Sequence, residues 1–225
     1  MAGIRFIGHA CFEIELGGRV ILTDPWLEKN PVEETRLVPP AAVPESFRRV
    51  DVILISHDHF DHCSPRDVEL ICERTQAQVI GPEDALMRLE INPRLKMPVS
   101  VGESFSVLGV YLEVIDAKHG EPGSSVGFII SAAGKRIYFA GDTYDFSGMT
   151  NIDCDIALLP IGGTYTMDML GAVKALKLMR AKMVVPMHYD TFARIKADPD
   201  DFAKRVQQNT RSKPVVLMPG QAFSF

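Results

Sequence analysis

Three of the six histidines and two aspartates lie within residues 57–62, in the stretch HDHFDH, directly after the apolar run VILIS. Burying a histidine is costly unless both ring nitrogens have partners, and a metal ion is one such partner. His57 and His59 are two residues apart, so on an extended segment their rings project to the same side and can chelate one ion. Asp61 and His62 follow at a turn and can serve a second ion. Nitrogen and carboxylate ligands suit Zn(II), Mn(II), Fe(II) or Ni(II), and they exclude a calcium site made only of oxygen ligands.

The competing interpretation of this stretch is a solvated polar loop, which we disfavour because ordinary loops seldom contain H-x-H-x-D-H. Polar residues also recur where other apolar runs end: His9 after IRFIG, Asp24 after VILT, His119 after YLEVIDAK, Asp142 after IYFAG and His188 after MVVPM. Rigid strands often deliver functional side chains to loops at one edge of a sheet. We therefore expect these strand ends to converge on one site.

The elements that must position these residues are short β-rich runs with helices between them. Gly17 and Gly18 supply the positive φ angles of a two-residue hairpin turn in an opening meander. Strands are predicted at IRFIGH, CFEIEL, RVILTD, VDVILIS, AQVIG, SFSVLGVYLEVI, SVGFIIS, RIYFAG, DIALLP, KMVVPM and PVVLMP.

Four helices are predicted between these strands. The first spans residues 65–75, because Ser64 can cap it and Pro65 suits its first position. The second lies near residues 83–90. The third covers about residues 168–180, where apolar side chains recur at helical spacing, and the fourth opens at Asp198. The residues at helical spacing are Met169, Val173, Leu176 and Met179.

Length and composition favour one large globular domain over residues 1–225, since 46% of the residues are hydrophobic and no linker or low-complexity segment is visible. The formal net charge of −5 argues against nucleic acid and anionic membranes as partners. No apolar run approaches the roughly 18 residues of a membrane span, and the start lacks a signal-peptide pattern. Four scattered cysteines without C-x-x-C spacing favour a reducing, cytoplasmic setting; Cys63 is the one that could lie beside a metal.

The motifs that contain the candidate metal ligands resemble those of a known family. HDHFDH resembles the H-x-H-x-D-H signature of the metallo-β-lactamase superfamily, and DAKHGEPGSS, FAGDTYD and VPMHYDTF match its later elements in order. LPIGGTYTMD and PMHYDTF are further similar to a subgroup of metal-dependent hydrolases related to the ascorbate-phosphate lactonases. The resemblance runs from about residue 3 to residue 220. It implies an α+β fold, an αββα sandwich of two mixed β-sheets flanked by helices, with the site along one edge.

The resemblance also implies a role for each matched residue. One ion would be held by three histidines, a second by a carboxylate and two histidines, and an aspartate would bridge the two ions. The first set is His57, His59 and His119, the second is Asp61, His62 and His188, and the bridging residue is Asp142.

Two further residues have open roles. His9, in IGHAC, is a catalytic candidate that could contact substrate, donate a proton to the leaving group or orient a ligand, or it could be a core histidine. Asp24, in TDPW, resembles an aspartate that accepts the free N–H of a ligand imidazole, but a simple turn aspartate before Pro25 is the alternative.

The function implied is a metal-dependent hydrolase in which a metal-bridging hydroxide cleaves an ester, lactone or phosphoester bond. Asp61, Asp142 and His9 are the predicted catalytic residues, and two divalent ions, Zn(II) before Mn(II), Fe(II) or Ni(II), are the predicted cofactors. The positive charge of the two ions exceeds the negative charge of Asp61, Asp142 and the hydroxide, which favours a small anionic substrate. A homo-oligomer is left open.

The alternatives are a phosphodiesterase or nuclease on the same fold, a thioesterase, and a non-catalytic metal-binding interaction protein. No basic, aromatic-rich tract or obvious long insertion supports a nuclease. A flavin-coupled di-iron reductase would resemble H-x-E-x-D-H, whereas the second position here is His59. A non-catalytic protein on this scaffold would usually have lost some of the metal ligands, whereas every ligand position of the family pattern is filled here.

The sequence says less about what surrounds the site. Residues 26–49, with four prolines, could form a pocket rim or only a surface loop. In GGTYTM, Thr164, Tyr165 and Thr166 could bind substrate, although Thr166 or Asp168 could equally cap a helix. A final set of basic residues near helical spacing could contact phosphate, but a solvated helix face is favoured; the set is Lys174, Lys177, Arg180 and Lys182.

Overall fold

Two seven-stranded sheets are formed by the residues that the computed structural model describes, 2–29 and 34–225. The first sheet takes the first six strands of the chain, in sequence order. These strands are Gly3–Gly8 (β1), Cys11–Leu16 (β2), Arg19–Thr23 (β3), Val52–Leu54 (β4), Gln78–Gly81 (β5) and Lys96–Pro98 (β6).

The second sheet takes the next seven strands, again as neighbours in sequence order. They are Ser104–Val107 (β7), Val110–Asp116 (β8), Val126–Ala132 (β9), Lys135–Phe139 (β10), Asp153–Pro160 (β11), Arg180–Met187 (β12) and Lys213–Pro214 (β13). The last strand, Ala222–Ser224 (β14), returns to the first sheet and pairs antiparallel with β1.

Each sheet begins antiparallel and ends parallel. In the first sheet β1, β2 and β3 pair antiparallel, whereas β3 to β6 pair parallel. In the second sheet β7 to β10 are antiparallel and β10 to β13 are parallel. Antiparallel neighbours need only tight turns, and Gly17 and Gly18 form one with φ angles of 60° and 76°. Parallel neighbours need longer crossover connections, and the helices lie in these connections.

The described residues also form four α-helices, Pro65–Thr75 (α1), Glu83–Met87 (α2), Met169–Leu178 (α3) and Pro199–Asn209 (α4). The predicted cap of α1 is confirmed, since the Ser64 hydroxyl accepts a hydrogen bond from the Asp67 backbone N–H. Side chains of α1 and α2 pack with β4 and β5 in one hydrophobic cluster, whereas α3 and α4 contact β12 and β13. A second cluster joins the facing sides of the two sheets. The molecule is therefore an αββα sandwich of two mixed sheets, as the sequence predicted.

The predicted ends of two helices were wrong. The helix expected at residues 83–90 ends at Met87. The helix expected at 168–180 ends at Leu178, because Arg180 pairs with Asp153 at the start of β12. Met179 is still buried, but it lies on the extended connection. Strand pairing thus overrides the helical spacing that this methionine shares with α3.

Strand predictions were accurate where apolar runs are long and poorer at the sheet edges. The run SFSVLGVYLEVI forms two strands, β7 and β8, because Leu108 and Gly109 turn the chain with positive φ angles. PVVLMP contributes only Pro214 to β13, and VDVILIS forms a strand only over Val52–Leu54. The short edge strands β6 and β14 were not predicted.

All four cysteines are buried and free, so they act as apolar core residues. Burial raises the pKa of the Cys63 thiol to about 12, which leaves it protonated and unreactive at neutral pH. Among the described residues, no helix is both long enough and apolar enough to cross a bilayer.

The Asp51 carboxylate aligns β3 with β4, the two strands that lead to Asp24 and the HDHFDH stretch. It accepts the Val20 backbone N–H at 2.8 Å and pairs with Arg49 and Arg19. Burial opposes ionisation, but these donors outweigh it and hold the pKa of Asp51 below its usual value.

We expect Asp51→Asn to lower the free energy of unfolding by about 1–2 kcal/mol near neutral pH, since both arginines are partly exposed and contribute little. A lowered pKa in the folded state stabilises the protein above the unfolded pKa of about 3.9, and this stabilisation is lost as pH falls through the folded value. Denaturant unfolding from pH 7 to pH 3 would test this. A difference between the two proteins that stays constant down to pH 3 would contradict it.

Candidate metal centre

Strand ends from both sheets converge at one edge of the sandwich. The first sheet contributes His9 after β1, Asp24 after β3 and the 57–62 stretch after β4. The second sheet contributes His119 after β8, Asp142 after β10 and His188 after β12. The structure thus brings together all six histidines of the chain with the aspartates that the sequence singled out.

Three histidine nitrogens form the first donor group. Nδ1 of His59 lies 3.0 Å from Nε2 of His57 and 3.2 Å from Nε2 of His119. His57 is buried, whereas His59 is exposed, so the group opens toward solvent on one side. Three imidazoles that aim nitrogens at one point could hold a single divalent ion and leave a coordination position open.

A second donor group lies deeper. It combines Asp61, His62 and His188, with His9 beside them, and one ligand atom of each lies within 4.8 Å of the others. Nε2 of His188 is 3.7 Å from Oδ2 of Asp61. Asp58, the other aspartate of HDHFDH, faces away and pairs with Arg88 at 3.8 Å.

Asp142 lies between the two groups. Its Oδ1 is 3.5 Å from Nε2 of His62, and its Oδ2 is 3.2 Å from Nε2 of His188 and 4.0 Å from Nε2 of His119. One carboxylate therefore faces ligands of both groups. This is the arrangement that a bridging ligand requires.

Several buried polar atoms at this point make no hydrogen bond within the described part of the chain. They are Nε2 of His62, both ring nitrogens of His188 and Oδ1 of Asp142. Buried polar groups of folded proteins almost always have partners, so four orphaned atoms in one place need an explanation. Bound metal ions would satisfy those that face the site, and the mixed nitrogen and carboxylate donors fit a first-row divalent ion.

The buried Asp24 carboxylate fixes the tautomers of two of these histidines. Its Oδ2 accepts the Nδ1–H of His62 at 2.6 Å. The same oxygen accepts the Ser56 hydroxyl at 2.6 Å, and that hydroxyl accepts the Nδ1–H of His57 at 2.9 Å. In their neutral forms both rings therefore direct Nε2 lone pairs into the site, one in each donor group. Ser56 was not singled out in the sequence, although it directly precedes His57.

Backbone groups position the two histidines from the second sheet. The Nδ1–H of His119 donates to the Tyr165 carbonyl at 3.0 Å. Gly162 lies against the His188 loop, where an added Cβ would come within 2.3 Å of the His188 carbonyl oxygen. The glycines of GGTYTM thus allow a close backbone approach that supports a ligand loop.

Charge in the site is set by burial and by close pairs. Burial opposes ionisation of Asp142, but His188 and His62 outweigh it and hold the pKa of that carboxyl well below its usual range. Burial also lowers the pKa of His188, yet Asp142 and Asp61 reverse this and raise the pKa to about 9. Because only a neutral imidazole ligates a metal, an ion that enters here must displace that proton.

His9 is enclosed between the second donor group and an aromatic wall. Its Nε2 lies 3.1 Å from Oδ2 of Asp61, and its Nδ1 lies 3.0 Å from the Thr191 hydroxyl. The ring packs 5.2 Å from Trp26 and 5.4 Å from Phe192, measured between centroids. Only 1% of the side chain is exposed.

The described part of the 26–49 segment does contact the site region. Trp26 is buried against His9, Phe60 and Phe192, and the Arg36 guanidinium stacks 4.0 Å from the centroid of its indole. Residues 30–33 of the predicted rim lie outside the described residues. Aromatic residues were not predicted at the site, because single aromatic residues in loops carry no spacing signal.

The structure decides two further sets of alternatives: the helix cap considered at Asp168 is confirmed, and the helix face expected for the four basic residues is wrong. Thr166 is buried and exchanges hydrogen bonds with the Thr143 backbone, whereas Asp168 caps α3 through the Gly171 N–H. The four basic residues do not share a helix face, because Arg180 and Lys182 lie on β12, where they pair with Asp153 and Asp155. No phosphate-binding helix face exists at these residues.

Comparisons with known proteins agree with this architecture. The family described as "Beta-lactamase superfamily domain" matches residues 3–188. A UPF0173 metal-dependent hydrolase from Staphylothermus marinus is 37% identical over 235 residues, and the match covers 100% of both chains. Another from Thermofilum pendens is 38% identical over 237 residues, again over 100% of both. A metallo hydrolase from Ignicoccus hospitalis has a similar structure, with a TM-score of 0.82, 33% identity, and coverage of 100% of this chain and 99% of the other.

The fold of this chain is thus shared with a solved metallo hydrolase, and its sequence is similar over its whole length to metal-dependent hydrolases. The chain belongs to the β-lactamase superfamily, in the UPF0173 family of metal-dependent hydrolases.

We expect Asp24→Asn to weaken metal binding at both donor groups by about 10- to 100-fold, because the amide cannot accept hydrogen bonds on both sides as the carboxylate does. Competition with a chelating indicator, at fixed pH, would measure both affinities. Ser56→Ala removes the link to His57 and one of the three hydrogen bonds to Asp24, while the contact between Asp24 and His62 remains, so it should weaken the first group more than the second. Equal losses in the two variants, or no loss in Asp24→Asn, would contradict the shared role of this carboxylate.

Proposed function

We propose that this protein is a dinuclear metal-dependent hydrolase that cleaves an ester, lactone or phosphoester bond of a small anionic substrate. The observation that carries the proposal is the pair of donor groups joined by Asp142, with orphaned buried atoms between them. When bound, two divalent ions would supply hydroxide near neutral pH and would polarise the substrate oxygen. Zn(II) is the first candidate, with Mn(II), Fe(II) or Ni(II) as alternatives.

Each ligand has a stated task in this proposal. His57, His59 and His119 would hold an ion at the open side, and Asp61, His62 and His188 would hold one at the deeper side. Asp142 would be a ligand of both. No serine or cysteine nucleophile is needed, which agrees with the burial and raised pKa of the Cys63 thiol beside His62.

The charge of the loaded site favours an anionic substrate. The five histidines bind in the neutral form, so Asp61 and Asp142 supply the negative charge of the ligand set. Two divalent ions would bring about four positive charges against about three negative charges, from these two carboxylates and the hydroxide, which leaves the ligand set slightly positive inside a chain of net charge −5. Electrostatic attraction thus concentrates anions at the opening near His59.

His9 acts in this proposal as a positioning residue. Asp61 can only accept hydrogen bonds when it is ionised, so Nε2 of His9 donates to it. The Thr191 hydroxyl lies 3.0 Å from Nδ1, so both ring nitrogens have a polar partner. A ring that is enclosed and fully hydrogen-bonded holds Asp61 in place, and it has no free nitrogen for a leaving group.

The cytoplasm is the proposed location, because four buried thiols without a disulfide suit a reducing compartment.

Metal content and hydrolysis, measured together, test the central proposal. We expect about two ions per chain in the protein reconstituted with Zn(II), and we expect Asp142→Ala to lose at least one ion and to lower hydrolysis by about 100-fold or more. The matched control is Asp58→Asn, in the same motif but facing outward, which should keep both ions. Elemental analysis would be paired with lactones, esters, thioesters and phosphodiesters, each with and without an anionic group.

The outcomes separate the competing functions. Faster cleavage of phosphodiesters than of esters and lactones would favour the phosphodiesterase or nuclease alternative. Two bound ions without hydrolysis of any substrate would favour a non-catalytic metal-binding protein. Zero ions after reconstitution would contradict the proposal.

We expect His9→Asn to weaken only the deeper ion, by about 10- to 100-fold, while the outer ion keeps its affinity. Asparagine suits the test because His9 has a φ of 59°, a backbone conformation that asparagine tolerates. Thr191→Val removes the other partner of the ring and should give a smaller loss in the same direction. Wild-type affinity for both ions together with lost activity would instead show that His9 acts on the substrate.

A further inference from the structure

A cluster of three charged or polar side chains lies at the edge of the metal centre and has no task in the proposed reaction. Arg194, in the short helix Ala193–Ile195, binds both carboxylate oxygens of Glu34, with Nε 3.1 Å from Oε1 and Nη2 2.8 Å from Oε2. Its Nη1 donates to the Tyr165 hydroxyl. The guanidinium also lies over the Tyr165 ring, 5.7 Å from its centroid.

Each member of the cluster is tied to a different part of the metal centre. The carbonyl of Tyr165 accepts from His119, a donor of the outer group. Thr191, three residues before Arg194, contacts His9 beside the deeper group. The segment of Glu34 is joined to the same loop, because the Leu37 N–H donates to the Thr191 carbonyl at 2.8 Å. The cluster therefore spans the rim between the supports of the two donor groups.

The exposure of these side chains suits a ligand that arrives from solvent. The side chain of Arg194 is 50% exposed, and Tyr165 is 45% exposed. A guanidinium has five N–H donors, and three of them are used in the contacts described. The Tyr165 hydroxyl accepts from Arg194, so its own proton can be donated to an anion.

Two other basic side chains near the site, Arg88 and Lys118, make contacts that support the local structure. Arg88 donates to the Asp58 carbonyl within HDHFDH, so it supports the ligand loop. Lys118 pairs with Asp116, two residues away, and lies over the Phe146 ring. Arg194 differs from both, because its carboxylate partner comes from a distant segment of the chain, 160 residues earlier in the sequence.

We propose that Arg194 and Tyr165 form a carboxylate-binding subsite, which recognises a carboxylate of the substrate remote from the bond that is cleaved. Glu34 occupies the subsite in the free protein, and its bidentate contact shows the ligand geometry that Arg194 accepts. This inference rests on the proposed hydrolase function and adds the substrate class: a carboxylic acid with a hydrolysable bond elsewhere in the molecule. Binding exchanges the Glu34 carboxylate for that of the substrate, so Glu34 lowers the apparent affinity.

The experiment uses two matched probes, the mono(4-nitrophenyl) ester of glutaric acid and the neutral 4-nitrophenyl ester of glutaramic acid. In the zinc-loaded protein, we expect Arg194→Gln to lower the ratio of kcat/KM for the acid to that for the amide by about 10- to 100-fold, mainly through KM. Tyr165→Phe should lower the ratio less, and Glu34→Gln should raise it. Arg180→Gln, an exposed and ion-paired arginine on β12, is the matched control and should leave the ratio unchanged.

A binding measurement separates this inference from the proposed function. Calorimetry with glutarate should show about 10-fold or greater weakening in Arg194→Gln and tighter binding in Glu34→Gln. If neither ester is cleaved but glutarate binding changes in this way, the proposed reaction fails and the subsite stands. If both esters are cleaved and the ratio is the same in wild type and Arg194→Gln, the hydrolase stands and the subsite is wrong. Equal glutarate affinity in wild type and Arg194→Gln overturns the subsite whatever the activity.

Discussion

The hydrogen bonds of the buried Asp24 carboxylate are the interaction on which the rest of the site depends. It accepts the Ser56 N–H at 2.7 Å, the Ser56 hydroxyl at 2.6 Å and the His62 ring at 2.6 Å. Burial raises the pKa of this carboxyl, and the three donors oppose that change. Without them a fully buried aspartate would be costly, and without the aspartate two ligand rings would lose their orientation. The carboxylate and its donors are thus stable only together.

The metal centre also requires that the two sheets meet closely at one edge. The first sheet supplies the 57–62 stretch, and the second supplies His119, Asp142 and His188. Gly141 permits the contact, because a Cβ there would come within 2.5 Å of the Ser56 Cβ, and its φ of 58° also favours glycine. The Val126 N–H donates to the Ser56 carbonyl at 2.9 Å across the same junction. A metal ion held by donors from both sheets would bind only the folded chain, so metal binding would stabilise the packing of the two sheets.

Two histidines at this edge have left-handed backbone conformations. His9 and His188 have φ angles of 59° and 55°, and the His188 N–H donates to the His9 carbonyl at 2.9 Å. Such conformations are uncommon for residues other than glycine, although asparagine, aspartate and histidine adopt them more often than most, and strained conformations cluster at functional sites. Here the hydrogen bond joins a loop of the first sheet to a loop of the second. The backbone that presents His188 is thereby held by the residue whose ring contacts Asp61.

The sequence by itself determined the candidate ligands and the fold class. HDHFDH is a local pattern, and the order of later motifs is a property of the chain, so both can be recognised without coordinates. The helix starts at Ser64 and Asp198 were predictable for the same reason, because a cap depends on its nearest neighbours. Only the tertiary structure decided the contacts around the ligands: Ser56 links Asp24 to His57, and His9 is enclosed against Asp61, 52 residues away. These contacts join distant segments, and residue types and spacing carry no record of them. The end of α3 was decided in the same way, because pairing between β11 and β12 outweighed the local helical spacing.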